Sequence, residues 1–413
     1  MSRQFSRPNK DLRVVLLEGI HPTAGQTLEA AGFERIEPHS KALEGDALRD
    51  AVAGAHYLGI RSRTRISDDL LANLPELRAI GCFCIGVNQV ELAAARARGV
   101  PVFNAPFSNT RSVAELVIAE AILLLRDVPR KNALAHRGVW RKSASGAHEV
   151  RGKRIGIVGY GHIGSQVGVL AEALGMQVFF FDVETKLALG NASQVGSINR
   201  LLGDVDVVTL HVPESESTRE MIDATAIDGM RDGAVLINAS RGSVVNIDAL
   251  AAAIKQGKLA GAAVDVFPEE PESNEATFAS PLCALDNVLL TPHVGGSTEE
   301  AQASIGVEVA EKLIRYNDNG STVTAVNFPQ VSLPPHLGTY RLLHIHRNQP
   351  GVLAAVNAVF SGRGINIQGE SLQTDPQVGY VVVDFDMAQT FDVEQLERLK
   401  QIDGTLRARI LTR

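Results

Sequence analysis

Short apolar runs alternate with helix-like stretches between residues 13 and 105. The apolar runs lie at 13–17, 57–60, 79–85 and 101–103, and helical patterns lie near 23–31, from 67 onward and over 89–98. Alternation of strands and helices at this spacing predicts a parallel sheet with helices on both faces. A longer helix is predicted over 111–125.

The same alternation repeats between residues 154 and 293. Its apolar runs lie at 154–158, 177–181, 205–212, 234–238, 262–264 and 288–290. These runs contain few polar residues, as expected for parallel strands that are buried on both faces. We therefore predict a second parallel-sheet domain inserted after the first. The helical stretch 298–317 is expected to return to the first domain, because that keeps both chain connections short.

Three glycines follow the run 154–158 and precede a helical stretch. Gly159, Gly161 and Gly164 form a G-x-G-x-x-G motif, which indicates dinucleotide binding when it lies between a strand and a helix. In such a motif the first glycine allows the turn, the second lets the backbone approach a pyrophosphate, and the third lets the helix pack on the strand. Asp182 ends the next apolar run, and a carboxylate at that position favours NAD over NADP.

The pattern changes beyond the proline-rich linker at 328–338. Strand patterns lie at 341–346, 365–372, 379–385 and 406–411, and helical patterns lie at 351–360 and 393–402. The resulting β-α-β-β-α-β order is that of the split βαβ, ferredoxin-like plan. It predicts a separate C-terminal α+β domain.

Composition narrows the classes of partner. The net charge is −7 with no basic tract, which argues against nucleic acid as a main partner. No run of 18 apolar residues appears, so no membrane span is predicted and a cytoplasmic location is expected. Cys82, Cys84 and Cys283 are interpreted as free thiols in a reducing compartment, and their spacing predicts no metal site.

Polar residues follow three strands of the second domain, at the edge where open α/β sheets bind ligands. Arg241 follows the run 234–238, acidic residues including Asp265 and Glu270 follow 262–264, and His293 follows 288–290. Hydride transfer to a 2-keto acid needs a guanidinium for the carboxylate, a histidine for the proton and a carboxylate beside that histidine. The carboxylate would raise the pKa of the histidine and fix its orientation. These residues predict a 2-hydroxyacid dehydrogenase site.

Several segments carry a family resemblance. They are Ile60-Arg-Ser-Arg-Thr64, the segment 103–115, the glycine motif, and the segments around Arg241, Glu270 and His293. With them the chain resembles, over essentially its full length, the D-isomer-specific 2-hydroxyacid dehydrogenases, and within them the short phosphoglycerate dehydrogenases that carry an ACT domain. The resemblance implies that Arg241 binds substrate, that His293 is the proton donor and that Glu270, rather than Glu269, is its partner.

The resemblance also implies positions for the cofactor and the substrate. The expected NAD-binding residues are Gly161, His162, Ile163, Asp182, His211, Ala239, Ser240, Arg241, Asp265, His293, Val294, Gly295 and Gly296. Arg61, Arg63 and Arg111 are candidates for the substrate phosphate and carboxylate, because guanidinium forks suit oxyanions. The family pattern favours Arg61 and Asn109, with Arg111 retained as a candidate. Not all three arginines need touch the substrate, and a structural ion pair for one of them is left open.

The resemblance implies three domains: a flavodoxin-like substrate domain at 1–108 and 297–330, an NAD-binding Rossmann domain at 109–296, and an ACT domain at 339–413. The expected reaction is the NAD-dependent oxidation of (2R)-3-phosphoglycerate to 3-phosphohydroxypyruvate, the first step of L-serine biosynthesis. Reduction of 2-oxoglutarate is an expected side activity. Feedback inhibition by L-serine would act through His346, Asn348 and Asn366 at an ACT–ACT interface.

A homotetramer is expected, built through the 111–125 helix and the ACT sheet. Trp140 is interpreted either as a subunit contact or as a core anchor. Three other functions remain open: a dehydrogenase for glycerate or another 2-hydroxy acid, an NADH-responsive corepressor scaffold, and a serine sensor without catalysis. The ACT resemblance favours a metabolic enzyme over the scaffold, and the intact arginine, glutamate and histidine favour catalysis over the sensor.

Overall fold

A computed structural model describes residues 7–271, 276–335, 339–386 and 391–412. The chain separates into two compact units. One contains the residues up to Ser108 and those from Gln302 onward, and the other spans Asn109–Ala301. Residues 336–338 of the predicted linker lie outside the described residues.

The first unit contains a five-stranded parallel sheet in the order β2-β1-β3-β4-β5. Its strands are β1 (Arg13–Leu16), β2 (Arg35–Pro38), β3 (Tyr57–Ile60), β4 (Ala79–Cys82) and β5 (Val102–Asn104). Its helices are α1 (Pro22–Ala30), α2 (Gly45–Val52), α3 (Asp68–Ala72) and α4 (Leu92–Ala97). This 2-1-3-4-5 strand order is the flavodoxin-like order, as predicted.

The second unit contains a seven-stranded parallel sheet in the order β12-β11-β10-β9-β6-β7-β8. Its strands are β6 (Arg154–Val158), β7 (Gln177–Phe181), β8 (Ser193–Gln194), β9 (Val207–Leu210), β10 (Ala234–Asn238), β11 (Leu259–Val264) and β12 (Val288–Leu290). Its helices are α5 (Thr110–Leu125), α6 (Val128–His136), α7 (His162–Ala173), α8 (Ile198–Asp204), α9 (Ala224–Asp228) and α10 (Ile247–Gln256). The order reverses between β6 and β9, which makes this a doubly wound Rossmann sheet.

The C-terminal part contains a four-stranded antiparallel sheet in the order β14-β15-β13-β16. Its elements are β13 (Thr339–Arg347), α12 (Val352–Ser361), β14 (Ile367–Thr374), β15 (Val378–Asp386), α13 (Val393–Lys400) and β16 (Thr405–Thr412). The predicted β-α-β-β-α-β order is confirmed. Asp392 caps α13 in a capping box with Gln395, which fixes where that helix begins.

The C-terminal sheet and the five-stranded sheet share one hydrophobic core. The long helix α11 (Glu299–Asn319) contributes Val309 and Leu313 to this core, and the C-terminal sheet contributes Leu343 and Tyr380. The other face of the C-terminal sheet packs against α12 and α13 around Phe360 and Phe385. The two central strands, β13 and β15, are therefore largely buried on both faces of the sheet, which makes them more stable than the strands of an isolated sheet of this size.

The sequence pattern missed several elements and misplaced some boundaries. The missed strand β2 carries no apolar run, because its residues are exposed or only half-buried at the edge of the sheet. The missed helix α2 buries only Leu48 and Val52. The apolar run at 79–85 continues past the end of β4 at Cys82, since Phe83 is buried without being part of the strand. None of the helices in the described residues combines the length and apolarity needed to cross a membrane.

Candidate active site

Gly159 and Gly161 lie in the turn between β6 and α7, Gly164 lies in the first turn of α7, and the space around the three glycines differs. A side chain on Gly164 would place its Cβ 2.1 Å from the carbonyl oxygen of Gly159, so only glycine allows this helix to approach the turn. A side chain on Gly161 would meet no protein atom within 4 Å. Protein packing therefore explains why position 164 requires glycine, but it does not explain the glycine at position 161. The open space beside Gly161 fits the close approach of a pyrophosphate to the helix N-terminus.

Two further polar groups fit a dinucleotide. The Asp182 carboxylate lies just beyond β7 and accepts hydrogen bonds from the backbone N–H groups of Tyr160 (2.8 Å) and Glu184 (3.0 Å), which fixes its position at the glycine turn. His211 follows β9, and burial lowers its pKa to about 3. Its Nε2 contacts the Thr209 hydroxyl at 2.9 Å, whereas its buried Nδ1 has no hydrogen-bond partner among the described residues. An orphaned buried nitrogen beside the turn is what a bound cofactor would satisfy.

The loop after β10 presents Arg241. The buried Asn238 side chain shapes this loop, since its Oδ1 accepts hydrogen bonds from the N–H and hydroxyl of Ser240 and its Nδ2 donates to the Arg241 carbonyl (3.0 Å). Gly242 follows, and a Cβ there would lie 1.9 Å from the carbonyl carbon of Phe267. Glycine therefore lets the Arg241 loop pack against the segment that leads to Glu270.

His293 and Glu270 form a hydrogen-bonded pair. The His293 Nδ1 lies 2.9 Å from the Glu270 Oε2, and the Glu270 Oε1 accepts a hydrogen bond from the Phe267 N–H (3.2 Å). The bond from Glu270 raises the pKa of His293 against the opposing effect of burial, and the charge of Asp265 adds to the increase. Burial favours a higher pKa for Glu270, but the bond and charge of His293 hold it below its ordinary value. The pair thus favours a protonated imidazole beside an ionised carboxylate.

Asp265 holds the loop that presents His293. This side chain is only 2% exposed and follows β11 directly. Its Oδ1 accepts hydrogen bonds from the Thr291 hydroxyl (2.6 Å) and the Val294 N–H (2.8 Å), and its Oδ2 accepts one from the Gly295 N–H (2.8 Å). The backbone of His293 has a φ of +54°, a conformation that few residues other than glycine adopt. The three bonds from one carboxylate support that unfavourable backbone conformation.

A second buried acid lies near Asp265. Glu120 on α5 is 3% exposed, and neither of its carboxyl oxygens has a hydrogen-bond partner among the described residues. Burial, together with the negative charge of Asp265, raises the pKa of Glu120 to about 8. At neutral pH Glu120 is therefore mostly protonated and adds little negative charge to the surroundings of Asp265.

The candidate substrate residue Arg61 belongs to the first unit, in the loop after β3. Sequence reasoning missed the residue that organises this loop, Glu18. Its carboxylate accepts hydrogen bonds from three backbone N–H groups, those of Arg61 (3.1 Å), Arg63 (3.0 Å) and Thr64 (2.8 Å). Glu18 is an acid just after a buried strand, the same signal that pointed to Asp265, and it could have been found by that rule.

Asn109 and Arg111 lie at the start of α5. Asn109 is buried and precedes the first helical residue, and its amide occupies the space that a side chain on Gly296 would need. Its Oδ1 is buried without a hydrogen-bond partner among the described residues. Arg111 instead forms an exposed ion pair with Glu115 on the same helix (2.6 Å). Trp140 is 90% exposed, so the core-anchor interpretation of this residue is wrong.

The candidate serine residues lie around the first strand of the C-terminal sheet. His346 on β13 is buried, and its Nδ1 lies 3.3 Å from the Nδ1 of His344. Burial lowers the pKa of His346. Asn348 is exposed and its Nδ2 donates to the Asp375 carbonyl (2.7 Å), while Asn366 is exposed just before β14.

Comparison with known proteins identifies the class. The sequence profile described as "D-isomer specific 2-hydroxyacid dehydrogenase, NAD binding domain" matches residues 118–295, and that described as "AHAS small subunit-like ACT domain" matches residues 342–407. The chain belongs to the D-isomer specific 2-hydroxyacid dehydrogenase family. It is 57% identical over 412 residues to the D-3-phosphoglycerate dehydrogenase of Haemophilus influenzae, covering 100% of both chains.

Two further comparisons agree. The chain is 57% identical to the D-3-phosphoglycerate dehydrogenase of Escherichia coli strain K12, covering 97% of both chains. The crystal structure of D-lactate dehydrogenase from Aquifex aeolicus complexed with NAD and lactic acid is similar with a TM-score of 0.65 and 25% identity, covering 77% of this chain and 100% of that one. The predictions of fold class, of an NAD-dependent dehydrogenase and of NAD as cofactor are confirmed.

Proposed function

We propose that this dehydrogenase oxidises (2R)-3-phosphoglycerate to 3-phosphohydroxypyruvate with NAD, at the entry to L-serine biosynthesis. The observation that carries the proposal is the His293–Glu270 pair, joined at 2.9 Å on the edge of the sheet where Arg241 also lies. The names of the relatives with 57% identity supply the substrate, since both are phosphoglycerate dehydrogenases.

Each residue has a distinct task in this proposal. The Arg241 guanidinium pairs with the substrate carboxylate and polarises the bond between C2 and its oxygen. His293 takes the hydroxyl proton in oxidation and returns it in reduction, while Glu270 orients its ring and stabilises its charged form. Bound NAD supplies the hydride acceptor for C2. It would lie along Gly161, His162, Ile163, Asp182, His211, Ala239, Ser240, Arg241, Asp265, His293, Val294, Gly295 and Gly296.

The substrate phosphate needs a second cationic group. We assign this task to Arg61, because Glu18 fixes the backbone of its loop through three N–H groups and leaves the guanidinium to act as the ligand. Asn109 adds a neutral polar group, and its unpartnered Oδ1 supports that assignment. Arg111 is the weaker candidate because it is already paired with Glu115. A dicarboxylate such as 2-oxoglutarate satisfies the same cations and is the proposed side substrate.

The test is the oxidation of NADH by the purified protein with a panel of 2-keto acids. We expect 3-phosphohydroxypyruvate to give the highest kcat/KM, and hydroxypyruvate, which lacks the phosphate, to be a far weaker substrate. A preference for hydroxypyruvate, the keto acid that corresponds to glycerate, would identify glycerate as the substrate that the enzyme oxidises. Binding of NADH without turnover of any member of the panel would favour the scaffold function.

L-serine is the proposed effector, held by His346, Asn348 and Asn366 between two C-terminal domains. In this proposal the protein is a homotetramer, with the chain divided into substrate (1–108 and 297–330), NAD-binding (109–296) and ACT (339–413) domains. The eight-residue β14 is an edge strand with largely exposed residues, which supports pairing with a second chain. L-serine added to the same assay should lower turnover, and Asn366→Ala should abolish that response without changing turnover in its absence.

A further inference from the structure

A basic cavity of about 710 Å³ lies in the first unit, between the C-terminal sheet and the five-stranded sheet. Six cationic side chains line it: Arg7, Arg78, Arg98, Lys400, Arg407 and Arg409. The one carboxylate among its lining residues is Glu76, which already pairs with Arg7 (2.6 Å) and with His56 (3.1 Å). A cavity of this size accommodates a small metabolite.

Three of these cations have carboxylate partners, and three do not. Arg7, Arg98 and Lys400 pair with Glu76, Asp68 and Glu397. Across the described ranges, no carboxylate forms an ion pair with the other three, Arg78, Arg407 and Arg409. We call these three residues the arginine trio.

In the described part of the chain the partners of the arginine trio are neutral groups, and the Tyr57 hydroxyl lies beside both Arg78 and Arg409. Arg78 donates to the Asn317 Oδ1 (3.2 Å), and Arg407 donates from Nε to the Arg98 carbonyl (2.6 Å) and from Nη1 to the Leu77 carbonyl. Arg409 donates from Nη2 to the Tyr316 carbonyl (2.9 Å), and its guanidinium carbon lies 4.8 Å from the centre of the Tyr316 ring.

One donor of the arginine trio has no partner. The Arg409 Nη1 is buried, and no hydrogen-bond acceptor for it exists in the described part of the chain. A buried charged donor without an acceptor is strongly unfavourable. A ligand that brings oxygen acceptors into the cavity would remove that cost.

Positive charges predominate among the residues that line the cavity. Burial, and then the charges of Arg78 and Arg7, lower the pKa of His56 to about 4, so this ring is neutral at physiological pH. Burial, and with it the repulsion from Arg409 and Arg78, lowers the pKa of Arg407 against the opposing effect of Tyr316. The neighbouring tyrosines raise the pKa of Arg409 despite its burial, so this side chain stays charged. Three guanidinium groups held together without an anion repel one another, which the fold tolerates only at a cost in stability.

We propose that this cavity binds a small phosphate-bearing anion, coordinated by Arg78, Arg407 and Arg409. Guanidinium forks match the oxygens of a phosphate group, and several arginines around one anion give charge-assisted hydrogen bonds in place of mutual repulsion. The ligand joins β16 of the C-terminal sheet to the residue that precedes β4. The proposal is independent of the proposed dehydrogenase reaction, because none of these residues belongs to the catalytic, cofactor or substrate set assigned above.

Calorimetric titration of the full-length protein with inorganic phosphate, and separately with the monoester glycerol 3-phosphate, tests the proposal at constant ionic strength. The informative variants are Ala72→Glu and Ala72→Gln. Ala72 is an exposed residue at the end of α3 that lines the cavity, so both side chains are tolerated while only the first supplies an internal carboxylate. Any phosphate bound at the dehydrogenase site contributes equally to the titrations of the two variants, so it does not affect their difference.

We expect Ala72→Glu to bind phosphate at least about tenfold more weakly than Ala72→Gln at this site, and to unfold at a higher temperature in its absence. Arg407→Met should weaken binding to a similar degree, whereas Arg363→Met, which removes an exposed paired arginine of the same unit, should not. Tighter binding of the monoester identifies a phosphorylated metabolite as the ligand, and equal binding identifies free phosphate. Equal phosphate binding by Ala72→Glu and Ala72→Gln, or no binding to the wild type beyond that of chloride, would overturn the proposal.

Discussion

Two loops in different units are organised in the same way. In the second unit, Asp265 follows β11 and holds the loop after the neighbouring strand β12 through the N–H groups of Val294 and Gly295. In the first unit, Glu18 follows β1 and holds the loop after the neighbouring strand β3 through the N–H groups of Arg61, Arg63 and Thr64. In each case a carboxylate beyond one parallel strand fixes the loop beyond the next.

The difference lies in what each loop presents. The loop held by Asp265 presents His293, the proposed proton-transfer group, whereas the loop held by Glu18 presents Arg61, the proposed phosphate-binding group. Parallel strands bring their carboxyl ends to one edge of the sheet, so an acid there can organise either kind of loop. We therefore expect disruption of the loop held by Asp265 to lower kcat, and disruption of the loop held by Glu18 to raise KM.

The largest expected effect comes from His293→Ala. Loss of the proton-transfer group should lower kcat for 3-phosphohydroxypyruvate reduction by roughly 10² to 10⁴. NADH affinity, measured by fluorescence titration, should change little. His136→Ala, which removes an exposed histidine from α6 of the same unit, is the matched control and should behave as the wild type. Wild-type turnover by His293→Ala would remove this residue from the chemistry.

Asp265→Asn should come next, with a loss of about 10² in kcat. An amide cannot accept all three hydrogen bonds, and its NH₂ group would face backbone N–H donors, so the loop that presents His293 loses its support. The variant should also unfold with about 1–3 kcal/mol less stability in denaturant titration. Thr291→Val removes only one of the three donors and should have a smaller effect. An unchanged kcat in Asp265→Asn would show that the loop holds its conformation without this carboxylate.

Glu18→Gln makes the same chemical change, from carboxylate to amide, in the loop that presents Arg61. Its NH₂ group would face the N–H groups of the Arg61 loop, and KM for the phosphorylated substrate should rise about tenfold while kcat changes little. Arg61→Met should raise KM in the same way and should reduce the preference for 3-phosphohydroxypyruvate over hydroxypyruvate. A fall in kcat at unchanged KM would break the proposed division between the two loops.

Glu270→Gln should change kcat less than the other variants do at the pH where each is most active. Its effect is best measured as a shift in the pH profile of kcat. Glu270 raises the pKa of His293, so its removal lowers that pKa. In the proposed mechanism reduction requires protonated His293, so activity should be lost as pH rises through the pKa of this residue. The loss should therefore begin at lower pH in the variant than in the wild type. Glu269→Gln serves as control, and identical profiles for Glu270→Gln and the wild type would contradict the pairing.

The sequence was sufficient for some of these features and insufficient for others. The glycine motif and the residues after β10, β11 and β12 could be predicted, because a buried parallel strand followed by a polar residue is visible as a pattern. Glu18 has the same signal but lies in no familiar motif, and its three N–H partners are more than 40 residues away along the chain. The edge strand β2 has no apolar run, so no pattern could predict it.

The arginine trio illustrates a second limit. Arg78 and Arg407 are hundreds of residues apart along the chain. Only the packing of the C-terminal sheet, which contains β16, against the five-stranded sheet brings them to one cavity. The pairing of Arg111 with Glu115 follows from i,i+4 helical spacing and could have been predicted from that spacing alone.

Proton transfer by the His293–Glu270 pair can be tested through the pH dependence of kcat for 3-phosphohydroxypyruvate reduction, measured for the wild type and for His293→Ala. Wild-type turnover should fall with rising pH through one ionisation above the ordinary histidine value of about 6.5, because Glu270 raises the pKa of His293. That ionisation should be absent from the residual activity of His293→Ala. The same ionisation in both proteins would contradict the assignment of proton transfer to the His293–Glu270 pair.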